Sequence, residues 1–265
     1  MSVSRGGAVH RLVVSADIKG SGRLGQRAKI RARQGMYEVF EAAFAAVGVG
    51  GSQVHLEDRG DGVLAALAPE VPPAALVGLW LEEVHQGVRE HNEGLSEPLR
   101  LRIAMHGGPV AEDGRGLVGR AVDLACRLCD SEPAKAILAA DDDVHVVFVA
   151  SDVLYHSVVA EGGRFVEPEH YRPIPVRAKE TDEVAWFHVP RRAAPPWPAA
   201  APPPEQPAPT AVPGGRPGQA PGAKYWINVN GHNQIVDGAE VHGDIVGVRV
   251  TRERDGGAEG AERGE

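Results

Sequence analysis

The chain has 265 residues and a formal net charge of −8 at pH 7, so it is long enough for one large domain or two small ones with a buried core. The negative charge argues against a general nucleic-acid binder, and no apolar run approaches the roughly 20 residues that span a bilayer. No N-terminal stretch has the charged start and long apolar run of a signal peptide. We therefore expect a cytoplasmic protein that binds neither nucleic acid nor membrane.

The first predicted elements are a buried strand over 10–18 and, after a Gly-Ser-Gly turn, a helix over about 26–47. Apolar residues recur near helical spacing within that helix, which predicts one buried face. The residues expected on this face are Ile30, Met36, Phe40 and Phe44.

Residues 54–67 predict a hairpin, because apolar runs flank a tight Gly60-Asp61-Gly62 turn. Asp61 is then exposed at the tip, and Asp17 ends the strand before it in the chain. If the two strands lie side by side, two carboxylates share one edge of the sheet. They repel each other unless a cation lies between them, which suggests a divalent metal site. The alternative is that Asp61 is only a turn residue and Asp17 only a helix cap.

The second half repeats strands and helices. The predicted elements are a helix from Pro72-Pro73 to Asn92, a half-buried strand over 99–105 ending at 106–108, a helix over 120–129, a strand over 144–149, a helix over 152–159 capped by Ser151, and strands over 173–176 and 184–189. This order, with a hairpin included, predicts an α+β layer sandwich. The lone Cys126-x-x-Cys129 lacks a second pair for zinc, and we interpret it as two buried or half-buried thiols.

Four segments in this order resemble the class III nucleotidyl cyclases, the adenylate and guanylate cyclase catalytic domain. They are residues 16–21 and 57–62, similar to the two metal motifs, 101–110, similar to the central strand, and 119–127, similar to the transition-state helix. The resemblance covers residues 10–190 and implies a ferredoxin-like α/β sandwich. It also implies conversion of a nucleoside triphosphate to a 3′,5′-cyclic nucleotide and pyrophosphate.

The resemblance further implies roles for single residues. Asp17 and Asp61 would hold two Mg²⁺ or Mn²⁺ ions, which activate the ribose 3′-hydroxyl and clamp the triphosphate. Arg127 would stabilise the phosphate charge in the transition state, the alternative being a surface salt bridge. Arg177 and Lys179 resemble the late basic segment that contacts the phosphates. The family builds each site across a two-fold axis, so the resemblance implies a homodimer.

Two positions depart from the family pattern. Asp123 stands where an asparagine usually orients the ribose, and it cannot donate as an amide does. At the base-reading positions, Glu57 resembles the glutamate of guanylate cyclases, whereas Gly116 has no side chain. The base is therefore left open, and a pyrimidine is among the alternatives. The alternative to an enzyme is an inactive cyclase-fold adaptor or nucleotide sensor.

The C-terminal part has a different composition. Residues 191–224 are rich in Pro, Ala and Gly and predict an extended, disordered linker. Residues 225–250 are β-prone and resemble the RHIM-like amyloid signalling motifs of bacterial immune-type proteins, which implies homotypic or heterotypic assembly by cross-β stacking. The alternatives are a disordered tail or a hairpin that packs on the cyclase-like domain. Residues 251–265 predict a disordered end.

Overall fold

The computed structural model describes residues 7–178 and 181–197, and the backbone of 225–229 and 232–236. Several predicted segments lie outside the described residues. They are Lys179, the predicted linker from residue 198 onward, most of the β-prone segment 225–250 and the C-terminal end. The chain divides into two units, Met1–Ala208 and Pro209–Glu265.

The first unit is built around one sheet of eight strands. The strands are β1 (Val9–Ile18), β2 (Val54–Asp58), β3 (Gly62–Leu67), β4 (Leu101–Glu112), β5 (Leu117–Val118), β6 (Val146–Ser151), β7 (Arg172–Ala178) and β8 (Thr181–His188). Their order across the sheet is β2-β3-β1-β4-β6-β8-β7, and β5 pairs with β4. β4 and β6 run parallel, and the other neighbouring pairs run antiparallel. The α+β prediction is confirmed.

Helices cover both faces of this sheet. They are α1 (Gln26–Ala46), α2 (Pro73–Ala75), α3 (Leu81–Asn92), α4 (Arg120–Cys129), α5 (Glu132–Ala140) and α6 (Asp152–Ser157). A π-helical turn, Leu76–Trp80, joins α2 to α3. Short 3₁₀ turns lie at Ser21–Arg23, Gly51–Gln53, Val159–Glu161 and Pro168–His170.

α1 and α3 pack on one face of the sheet. The ring of Trp80 lies 5.2 Å from that of Phe40 and 5.3 Å from that of Phe44, and all three side chains are buried with Met36. The prediction for Ile30 is wrong, since this side chain is 57% exposed. Ile30 lies six residues before Met36, which at 100° per residue is about 120° away around the helix.

α4 and α5 pack on the other face. Ala121 and Ala125 of α4 contact a cluster that includes Val13 of β1, and Ile137 of α5 packs in a cluster with Phe187 of β8. α5 was not predicted from the sequence. Its start is nevertheless marked, because the hydroxyl of Ser131 accepts a hydrogen bond from the N–H of Ala134.

Two expectations for β4 are wrong. The strand does not end at 106–108 but continues to Glu112, and residues 101–105 are buried on both faces, because helices cover both sides of the sheet. Arg100 and Arg102 are therefore buried at 7% and 8% exposure. Their guanidinium groups compensate by donating to backbone carbonyls, from Arg100 Nε to Val144 O and from Arg102 Nε to Cys129 O.

The cysteine prediction agrees with the structure. Cys126 is half-buried and Cys129 is buried. Burial raises the pKa of the Cys129 thiol to about 12, so Cys129 remains protonated at neutral pH and is a poor nucleophile.

In the second unit, β9 (Tyr225–Val229) pairs antiparallel with β10 (His232–Val236). This hairpin lies within the segment predicted to be β-prone. Assembly through the segment stays a prediction. Among the helices of the described residues, none combines the length and the apolar character needed to cross a bilayer.

Candidate functional site

The structure brings Asp17 and Asp61 together at one edge of the sheet. Asp17 is in β1 and pairs with Gly62 of β3, so it is not a helix cap. Asp61 directly precedes Gly62, and its carbonyl accepts a hydrogen bond from the N–H of Ile18 at 3.0 Å. A Cβ on Gly62 would lie 2.3 Å from the carbonyl oxygen of Ala16. Only glycine allows this close approach, and the approach sets the spacing of the two aspartates.

Each of these carboxylates has a partner within the chain. Asp17, with its side chain 26% exposed, forms an ion pair with the Nη2 atom of buried Arg102, its direct neighbour across β1 and β4. Nη2 of Arg102 also lies 3.7 Å from Asp130. Asp61 accepts a hydrogen bond from the buried hydroxyl of Ser21. The two aspartates are thus held in place by neighbouring polar groups.

The donor set suits a hard divalent cation. Mg²⁺ and Mn²⁺ prefer carboxylate and carbonyl oxygens, and Mg²⁺ is commonly bound by only one or two protein carboxylates together with substrate phosphates. Within the described residues, no three His, Cys, Asp or Glu side chains converge on a common point for a metal. Asp17 and Asp61 therefore fit ions that arrive with a polyphosphate, rather than a closed all-protein cage.

α4 presents Asp123 and Arg127 to a separate pocket. Four residues apart, the two side chains share one face of the helix. They line a cavity of about 1240 Å³, and Nη1 of Arg127 donates to Oγ1 of Thr181 at 3.1 Å. Neither Asp17 nor Asp61 lines this cavity. Within a single chain, the predicted metal ligands and the predicted transition-state arginine therefore lie at different places.

The same cavity contains residues that were not predicted as site residues. His106 is half-buried, and its Nδ1 lies 2.9 Å from Oγ of Ser151. Burial, reinforced by nearby His10, lowers the pKa of His106, so the imidazole is neutral at pH 7. His106 directly follows the strand predicted over 99–105. Extending that predicted strand past residue 105 is the step that could have identified His106.

Aromatic and acidic side chains form another part of the cavity wall. Trp186 donates from Nε1 to Oδ1 of Asp152 at 2.9 Å, and its ring stacks on Tyr155 with centroids 3.4 Å apart. The Nε2 atom of His156 lies 3.4 Å from the same oxygen of Asp152. The wall thus offers both apolar ring surface and polar atoms.

The two predicted base-reading positions, Glu57 and Gly116, lie in close contact. A Cβ on Gly116 would lie 3.0 Å from Oε1 of Glu57, and that oxygen accepts a hydrogen bond from the N–H of Leu117. Both residues line a cavity of about 300 Å³. Glu57 and Gly116, 59 positions apart in the chain, therefore form one subsite.

The predicted late basic segment is only partly described. Arg177 lies near the end of β7, with its side chain 82% exposed, and its Nε is 3.4 Å from Oδ1 of Asp182. It does not line the cavity of Asp123 and Arg127, and Lys179 lies outside the described residues.

Comparison with known proteins gives structural matches alone, since no family model and no curated protein matches this sequence. An adenylate/guanylate cyclase/hydrolase from Silicibacter pomeroyi is 21% identical with a TM-score of 0.50, over 69% of this chain and 98% of that one. The guanylyl cyclase Cya2 is 18% identical with a TM-score of 0.50, over 69% of this chain and 95% of that one. The chain has the fold of the adenylate and guanylate cyclase domains.

Proposed function

We propose that the chain is a nucleotidyl cyclase that converts a nucleoside triphosphate to a 3′,5′-cyclic nucleotide and pyrophosphate. The observation that carries this proposal is the register of β1 and β3, which pairs Asp17 with Gly62 and so brings Asp17 beside Asp61. Two carboxylates on neighbouring strands can hold divalent ions that also bind substrate phosphates, as two-metal phosphoryl chemistry requires. The fold shared with cyclase domains supports the same activity.

The proposed site is completed by a second copy of the chain. Asp17 and Asp61 of one protomer would face α4 of its partner, because within one chain the cavity of Asp123 and Arg127 lacks both metal carboxylates. A two-fold homodimer would then contain two equivalent sites. The large cavity beside α4 is open to such a partner, and exposed Val153, 63% accessible, lies on its wall.

Each residue has a distinct task in this proposal. Two Mg²⁺ or Mn²⁺ ions, when bound, would supply the charge that lowers the pKa of the 3′-hydroxyl and clamps the triphosphate. Asp17 and Asp61 hold that charge in place. Arg127, on the opposite side, donates to the oxygens that gain charge as the new bond forms. Asp123 accepts a hydrogen bond from the ribose, and Arg177 and Lys179 contribute positive charge near the outer phosphates.

The test is product formation from each of the four nucleoside triphosphates with Mn²⁺ or Mg²⁺. We expect a cyclic product from wild type, and loss of at least about a thousandfold in Asp17→Asn and Asp61→Asn, since removal of metal charge removes most of the catalysis. Asp143→Asn is the matched control, because Asp143 is an exposed aspartate in the loop before β6. Absence of product with all four nucleotides, from folded protein, would exclude the enzymatic proposal.

A second candidate function is a cyclase-fold adaptor or nucleotide sensor without turnover. The observation that favours it is the pairing of Asp17 with Arg102 and of Asp61 with Ser21, which gives each carboxylate a partner within the chain. In this case nucleotide binds, or a dimer forms, but no cyclic product appears. The product assay above therefore separates the two candidates.

The C-terminal segment 225–250 would connect either activity to assembly, in bacterial signalling or defence. The hairpin of β9 and β10 supports this, since a two-stranded hairpin is only marginally stable alone and has two edges available for pairing. We expect full-length protein to form thioflavin-positive assemblies, and a chain truncated after residue 224 to remain dimeric. Assemblies that form equally well without the segment would remove it from the proposal.

A further inference from the structure

A buried arginine lies in contact with one of the two predicted metal ligands. The side chain of Arg102 is 10% exposed, and its Nη2 atom forms an ion pair with Oδ2 of Asp17. The two residues are direct partners across β1 and β4, so the sheet itself fixes the guanidinium beside the carboxylate. Arg102 therefore supplies a positive charge at the same carboxylate to which the proposed function assigns a metal ion.

The other aspartate, Asp61, differs in this respect. Its carboxylate accepts a hydrogen bond from the hydroxyl of Ser21, which is a neutral donor. Ser21 thus orients Asp61 and leaves its negative charge available to a metal ion, whereas Arg102 already neutralises Asp17. Two cations on one partly buried carboxylate repel each other. Arg102 and a divalent ion therefore compete for Asp17.

Arg102 cannot simply move away when an ion binds, because a buried guanidinium needs a counter-charge. Its Nε donates to the carbonyl of Cys129 at 3.1 Å, which anchors the group at the end of α4. A second carboxylate is close, since Oδ1 of Asp130 lies 3.7 Å from Nη2. A small rotation that brings these atoms about 1 Å closer gives an ordinary hydrogen-bonded ion pair. Arg102 thus has a second anionic partner within reach.

The surroundings of Asp130 allow this exchange. Its side chain is 70% exposed, and its Oδ1 lies 2.8 Å from Nζ of Lys135. The same Nζ lies 3.2 Å from Oε1 of Glu132. Lys135 therefore keeps a carboxylate partner when Asp130 turns toward Arg102.

We propose that Arg102 is a positioning residue that gates the metal site: it holds Asp17 until a divalent ion binds there and then transfers to Asp130. This inference rests on the metal site of the proposed function. The exchange keeps both Asp17 and the buried guanidinium paired throughout. Breaking the first ion pair lowers the affinity for a free ion, so an ion that arrives on a polyphosphate, which adds contacts of its own, is favoured over a free ion.

The test is titration of the full-length protein with Mn²⁺ alone, with free Mn²⁺ measured by electron paramagnetic resonance. In Arg102→Gln the side-chain amide can still donate to Asp17 but carries no charge. We expect this variant to bind Mn²⁺ at least about tenfold more tightly than wild type, because a positive charge in contact with the ligand is removed. An arginine that only held Asp17 in place would give a different result, since its loss would weaken Mn²⁺ binding or leave it unchanged.

Asp130→Asn tests the second partner without disturbing the buried ion pair. Arg102 then has no second carboxylate to accept it, so we expect Mn²⁺ to bind at least about fivefold more weakly than in wild type. Glu132→Gln is the matched control, because it removes one negative charge from the same exposed group, at Lys135 rather than at Arg102. Its affinity for Mn²⁺ should stay within about twofold of wild type. Thermal unfolding verifies that each variant is folded, and Asp130→Asn decides the question if Arg102→Gln is not.

The outcomes distinguish the inference from the function on which it rests. If folded Arg102→Gln binds Mn²⁺ no more tightly than wild type, or if neither chain binds it, the inference is wrong. If Asp130→Asn binds Mn²⁺ as Glu132→Gln does, Arg102 does not transfer to Asp130, and the inference is wrong as well. Cyclic product from wild type in the nucleotide assay would then show that the proposed function stands without it. Absence of that product, together with the expected Mn²⁺ affinities, would remove the proposed function and leave the gating role of Arg102 intact.

Discussion

Arg102 provides the sharpest test of how the sheet holds Asp17. Its side chain is 10% exposed, and it joins Asp17 of β1 to the carbonyl of Cys129 at the end of α4, where Nε lies 3.1 Å from the oxygen. Arg102→Met keeps the length and apolar stem but removes the charge. Asp17 is then left partly buried without its cation, and Cys129 O loses its donor.

The expected cost follows from these contacts. Removing one partner of a buried ion pair destabilises a protein by about 3–5 kcal/mol. Because Asp17 is 26% exposed, water screens part of this loss, and we expect about 3 kcal/mol. Removing the carboxylate charge as well, in Arg102→Met with Asp17→Asn, should recover at least about 1 kcal/mol, since contacting residues are not additive.

Urea denaturation of the wild type, both single variants and the double variant measures this coupling. The free energy of unfolding is extrapolated to water for each chain, and equal slopes indicate that the folded and unfolded states are comparable. If Arg102→Met costs less than about 1 kcal/mol, or if the two substitutions are additive, the pair does not hold Asp17 as we describe.

Three further predictions concern single residues. Burial, with a smaller contribution from His170, lowers the pKa of His188 from 6.5 to about 4. The unfolded chain therefore protonates this histidine at a higher pH than the folded chain does. The free energy of unfolding should fall by about 3 kcal/mol as the pH drops from about 6.5 to 4. A folded His188→Gln variant with the same acid slope in urea titrations would contradict this. Gly62→Ala should destabilise the fold by at least about 2 kcal/mol in thermal unfolding, because its Cβ would meet Ala16 O at 2.3 Å, and an unchanged melting temperature would show that the strands can separate without cost. Asn92 bonds both backbone groups of Leu99, at 2.7 and 2.8 Å, so Asn92→Ala should cost about 2 kcal/mol in urea denaturation, and a cost below about 0.5 kcal/mol would count against this link.

Local signals were sufficient to predict much of the fold. The Gly60-Asp61-Gly62 turn predicted the hairpin of β2 and β3, since turn chemistry acts over a few residues. The helix predicted over 120–129 agrees with α4. The α+β class followed from the order of such elements.

Properties that depend on the whole sheet were not predictable in this way. The alternating residues of β4 indicated a half-buried strand, but burial on both faces is decided by α1 and α3 on one side and by α4 and α5 on the other. The buried positions of Arg100 and Arg102 follow from the same packing. The pairing of Arg102 with Asp17, 85 residues apart, depends on the register of β1 and β4, which no local pattern encodes.

In the candidate site, too, local features were predicted and features that depend on tertiary packing were not. The motifs predicted that Asp17 and Asp61 share an edge, and that Asp123 and Arg127 lie on one helix. They did not predict that Glu57 is already engaged by Leu117 and Arg59. The contact of Glu57 with Leu117 depends on how the turn after β4 packs against β2, which no local motif predicts.

The composite two-fold site is the central claim, and mixing inactive variants tests it most directly. Asp17→Asn lacks a metal ligand, and Arg127→Gln lacks the transition-state arginine, so each homodimer should form no cyclic product. After co-refolding at equal amounts, half of the dimers are mixed, and each mixed dimer has one intact site, which predicts recovery of about a quarter of wild-type product formation. No recovery, from variants that fold and form mixed dimers, would contradict the claim that Asp17 and Arg127 act across the interface.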